Sequence, residues 1–118
     1  MLLLPFFAEA QEQISQQKND SLRHALRIAS TDSSRYRNAI RLALSYSENN
    51  RDSSLHYYEM ALPIAEKNNK TLNVASALAG KSYQLNHNGR YGEALQCLLR
   101  GVKIAETPFA LAPRDRQP

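Results

Sequence analysis

Residues 77–95 read Ala77-Leu78-Ala79-Gly80-Lys81-Ser82-Tyr83-Gln84-Leu85-Asn86-His87-Asn88-Gly89-Arg90-Tyr91-Gly92-Glu93-Ala94-Leu95, and this stretch decides the fold. Working back from Leu85, the residues Ser82, Leu78, Ala75 and Val74 recur at helical rather than strand spacing. A polar break follows, with Asn88-Gly89 placed to supply the left-handed backbone that closes a helix. Beyond it Tyr91, Ala94, Leu95, Leu98, Leu99, Val102 and Ala105 follow i, i+3, i+4, i+7, i+8 spacing, which predicts a second helix with one apolar face.

Further out, the same arrangement recurs. Ala61-Leu62-Pro63-Ile64-Ala65-Glu66 reappears as Gly101-Val102-Lys103-Ile104-Ala105-Glu106, an offset of 40 from Ala65 to Ala105. A third copy, Ala25-Leu26-Arg27-Ile28-Ala29, lies 36 residues before the first, from Ala29 to Ala65. Tyr36, Ala39, Ile40, Ala43 and Tyr46 predict one helix, and Leu55, Tyr58, Ala61, Leu62 and Ala65 predict the next. Pro63 would kink that helix, but the repeat on both sides carries it through. Leu22, Ala25, Leu26 and Ala29 predict one shorter helix in front, with Asp20-Ser21 and Thr31-Asp32 as N-cap residues. The sum is about five helices and an all-α fold.

This order of small, apolar, glycine and aromatic residues resembles the tetratricopeptide repeat. Ser82, Leu85, Gly89, Tyr91, Ala94 and Leu98 occupy the packing positions of residues 71–106. Ala43, Tyr46, Tyr58 and Ala61 do so in a degenerate unit over residues 33–70. In that unit Asn50 stands where glycine is expected, Ser54 replaces the small alanine, and the turn is one residue short. The resemblance implies an α-α superhelix that binds a protein or peptide in a groove lined by the first helix of each unit. It places Arg37, Ile40, Leu44, Ser47 and Glu48 of the first unit, and Tyr83, Asn86 and His87 of the second, on that groove. Ala79 and Tyr83 stand where the family's lysine and asparagine clamp would begin, so a C-terminal carboxylate ligand is not implied. Repeat arrays usually need about three units to bury a continuous core, so two units and a helix predict self-association or dependence on a partner.

Other features bound the function. Met1-Leu2-Leu3-Leu4-Pro5-Phe6-Phe7 followed by Ala8-Glu9-Ala10 reads as part of a secretory signal peptide over residues 1–10, with a capping helix region over 11–32. The alternative is the apolar end of a cytoplasmic helix. An exported start, a short helix and 40-residue repeats also resemble the exported N-terminal region of bacterial two-component sensor kinases. That resemblance implies a periplasmic sensory segment, although none of His24, His56 and His87 is followed by Asp or Glu. No apolar run approaches the ~20 residues of a membrane span, so stable insertion is not expected.

A single cysteine, Cys97, excludes an internal disulfide and any cysteine-based zinc cluster. No P-loop, Gly-x-Ser-x-Gly elbow, His-Glu-x-x-His or Cys-x-x-Cys occurs, so neither an enzyme nor a cofactor is expected. The net charge of +4 falls short of a nucleic-acid signature. Arg23, Arg27, Arg35, Arg37 and Arg41 form the one uneven charge feature, read either as a solvated face or as a dock for an acidic peptide. Pro108, Pro113 and Pro118 with Arg114 and Arg116 predict a disordered tail over residues 107–118.

Overall fold

The computed structural model of the protein describes residues 3–107, which form five α-helices: α1 (Leu3–Ile28), α2 (Asp32–Ser45), α3 (Arg51–Lys67), α4 (Thr71–His87) and α5 (Tyr91–Ala105). No strand occurs among the described residues. Each helix packs on the next in chain order, giving an all-α, tetratricopeptide-like helical repeat. Apart from Thr107, the tail expected to be disordered lies outside the described residues.

Local chemistry sets the turns. Thr31 caps α2, its Oγ1 accepting the Ser34 amide at 3.1 Å. Asn50 caps α3 in the same way, its Oδ1 accepting the Ser53 amide at 3.2 Å. This is why an asparagine serves where a glycine was expected. The turns after α3 and α4 share one geometry. Asn69 (φ 54°) and Gly89 (φ 78°) adopt the left-handed region. Lys70 N then donates to Ala65 O, and Arg90 N to Leu85 O, at 3.0 and 2.9 Å. These are the six-to-one bonds of a Schellman turn. Helix α3 runs through Pro63, whose side is exposed.

Small side chains make the helix crossings. Ala39, Ala43, Ala61, Ala65 and Ala77 are essentially inaccessible beside Leu42, Leu78 and Leu85. Two serines add hydrogen bonds across hairpins: Ser54 Oγ of α3 donates to Ala43 O of α2 at 2.7 Å, and Ser82 Oγ of α4 donates to Ala94 O of α5 at 2.8 Å. A close backbone approach joins α3 to α4. A Cβ added at Gly80 would stand 2.2 Å from Cζ of the buried Tyr58, so the ring lies directly against the glycine backbone. Longer links complete the stack, with Tyr36 Oη donating to Asn73 O (3.1 Å) and Arg100 pairing with Glu66 (2.6 Å).

Three expectations are corrected. The front helix is not short: α1 spans 26 residues, and Asp20-Ser21 lies inside it, Asp20 pairing with Arg23 one turn on. Its residues 6–18 are exposed. Tyr91, expected at a packing position, is 67% exposed at the start of α5. Leu98 is likewise not a buried packing residue. The 40-residue offset explains why. Leu55, Tyr58 and Leu62 of α3 are 7, 6 and 7% exposed beneath α4, whereas their counterparts Leu95, Leu98 and Val102 of α5 are 56, 47 and 46% exposed. No described helix lies beyond α5 to cover them.

Gly80→Ala should cost about 1–3 kcal/mol by overpacking against the Tyr58 ring. In a Tyr58→Leu background the same change should cost much less, because alanine is the better helix former. Thermal melts of the four proteins of this cycle check it, and additive effects would refute the contact.

Candidate functional site

Two rows of exposed side chains run along α2 and α4. Arg37, Arg41, Leu44 and Glu48 follow helical spacing on or just beyond α2, and Leu72, Ser76, Ala79, Tyr83 and Asn86 do so on α4. The rows meet where Tyr83 Oη donates to Glu48 Oε1 at 2.8 Å. Around that bond, Arg51 pairs with Glu48 at 2.9 Å and its guanidinium carbon lies 5.7 Å from the Tyr83 ring centre. The His87 ring is tilted against Tyr83 with centroids 4.4 Å apart. Of the residues expected on a groove, the structure thus brings Glu48, Tyr83 and His87 into one cluster.

Ser47 lies beside that cluster, half-buried and engaged by Gln84. The Gln84 amide nitrogen donates to both Ser47 O (3.0 Å) and Ser47 Oγ (3.1 Å). Ile40 also departs from the groove reading, since it packs partly against the core around Leu62, Val74 and Leu78. Ile40 thus faces the core between α3 and α4, and Ser47, in the turn after α2, faces Gln84 of α4. Arg37 and Leu44 lie on the open row, and Asn86 lines a cleft of about 470 Å³ between α4 and α5 with Ala79, Tyr83, Tyr91, Leu95 and Leu98. Tyr46, expected in packing, is half-buried at the end of α2, where it accepts from Arg23 and stacks on Tyr57 at 6.1 Å.

Gln84 and Arg51 were not singled out from the sequence. Gln84 is fully buried, yet its glutamine type beside Leu85 gives no signal of that; only its place one residue from the apolar face hints at an interface. Gln84 Oε1 and Arg51 Nη1 are buried without a hydrogen-bond partner among the described residues. No group of three or more His, Cys, Asp or Glu there could hold a metal ion. No described helix is long and apolar enough to cross a membrane.

The Tyr83 hydroxyl, and secondarily Arg51 and His87, hold the Glu48 carboxyl below the usual carboxylate range. A folded value below the unfolded one means that this bond stabilises above the ordinary carboxylate range and is lost as pH falls through the folded value. Tyr83→Phe should therefore move the Glu48 titration upward toward the ordinary range, as read from its side-chain carbon shift by NMR. An unmoved titration would dismiss the bond.

At this cluster the exposed Tyr83 ring lies beside the Arg51 guanidinium, itself paired with Glu48. No curated protein and no solved structure matches the chain. Residues 9–111 match the family described as the SusR N-terminal TPR domain. The match covers most of the 118 residues and agrees with the five-helix repeat fold, so the chain belongs to the SusR N-terminal TPR domain family.

Proposed function

We propose that the chain is a non-catalytic protein-interaction module that seats a peptide or protein segment along the exposed rows of α2 and α4. Membership of a TPR family supports the general class. The Tyr83–Glu48 bond carries the finer reading, because it joins the two rows into one surface with an aromatic side chain at its centre. Tyrosine and arginine are the side chains that most often anchor interfaces. Export to the periplasm is supported by the apolar opening ahead of Ala8-Glu9-Ala10. In that setting the module works as a sensory segment whose ligand acts through an effector, a second reading favoured by the same opening.

Peptides selected on the protein by phage display should bind with an affinity that falls about tenfold or more in Tyr83→Ala. Fluorescence anisotropy measures this, and selected peptides indifferent to Tyr83 would place the docking surface elsewhere.

The open apolar face of α5 supports self-association with a second copy. Its counterpart on α3 is covered by a helix, and Tyr91, Leu95, Leu98 and Val102 form a continuous exposed stripe. Sedimentation velocity should show a concentration-dependent dimer that Leu98→Glu abolishes without lowering helicity. A monomer at all concentrations would rule this out.

A further inference from the structure

The excess positive charge of the whole chain is concentrated in one stretch. Residues 18–45 hold six Lys or Arg against two Asp, a balance of +4 that equals the net charge of all 118 residues. The structure divides these cations into two sets. Arg23 is held by Asp20 and Tyr46, and Arg35 by Asp32 at 3.0 Å. Lys18, Arg27, Arg37 and Arg41 have no ion-pair partner among the described residues.

Two of the unpaired cations line a single cleft. Lys18 and Leu22 of α1 face Arg41, Leu44 and Ser45 of α2 around about 440 Å³ of open space. Each wall supplies one cation and one leucine a turn apart, and no carboxylate lines the space. Asp20 is engaged by Arg23, and Glu48 by Tyr83 and Arg51. Arg37, one turn before Arg41, extends the positive row, and Leu44 is 60% exposed. Ser45 donates to the buried Asn19 at 2.5 Å, which fixes the floor between the two helices.

We infer that this cleft docks an acidic peptide segment carrying an aliphatic side chain between its carboxylates. Guanidinium and ammonium groups on the walls take side-chain carboxylates, and Leu22 and Leu44 take the aliphatic group. A nucleic acid fits less well, because no unengaged aromatic borders the cleft for a base to stack on. The inference rests on the reading that the open row of α2 is a docking face, and it names the chemistry at the α1 end of that row.

The probe is a fluorescein-labelled Glu-Leu-Glu-Asp-Leu-Glu peptide titrated by anisotropy at 50 mM NaCl. It should bind at least tenfold tighter than the same peptide with lysine at every acidic position. Raising NaCl to 300 mM should weaken it severalfold, since these charges are exposed. Lys18→Gln, Arg41→Gln and Leu44→Ser should each weaken it about fivefold. All three side chains are exposed, so circular dichroism should be unchanged. Binding that ignores Lys18 and Arg41 but is lost in Tyr83→Ala overturns the acidic cleft and leaves the interaction face standing. No binding by this peptide, together with phage-selected peptides indifferent to Tyr83, overturns both. Tighter binding of a single-stranded oligonucleotide than of the peptide also overturns the inference.

Discussion

The whole stack depends on how closely neighbouring helix axes approach. Alanine and serine at the crossings bring backbones within reach of one another, and only then can a serine hydroxyl reach a carbonyl on the facing helix. Gly80 shows this requirement plainly, because the hydroxyl-bearing edge of the Tyr58 ring from α3 occupies the place of its absent Cβ. Larger residues at these points would separate the helices and dissolve the two small clusters around Leu62–Leu78 and Leu55–Leu85. Neither cluster is large, so stability comes from the summed neighbour-to-neighbour interfaces.

The same constraint shapes the outer surface. With small residues committed to the crossings, the long polar and aromatic side chains of α2 and α4 project outward in rows. Where the rows meet, Glu48, Arg51, Tyr83 and His87 order one another. A pre-ordered tyrosine loses little freedom on meeting a partner, which is the useful property of such a row in recognition.

Much of this was legible beforehand, for physical reasons that differ by element. The 40-residue recurrence and the helical period located α2 to α5, because both follow from backbone geometry. The extent of α1 was not legible: Asp20-Ser21 looks like a helix start, but an aspartate paired with an arginine one turn later is equally content inside one. Periodicity also identified the apolar face of α5 without revealing that Tyr91, Leu95 and Leu98 are uncovered, since a pattern records which side is apolar and not what lies against it. At the site, Ile40 packs against the core around Leu62 and Leu78 and Ser47 accepts from Gln84, contacts with residues far away in sequence that helical spacing does not record. Gln84 was missed because its burial depends on Ser47, 37 residues away in sequence.

The equivalence of α5 and α3 bears on how such an array can lengthen. A tandem duplicate of residues 67–106 joined after Glu106 would keep the turn of residues 68–70 and find on α5 the seat that α4 finds on α3. It would meet Leu98, however, at the place where α4 meets Tyr58. A glycine copied from position 80 would then face a hollow rather than a ring. Growth by duplication would thus relax the most demanding position in the fold, leaving the new unit freer to drift than the one it came from.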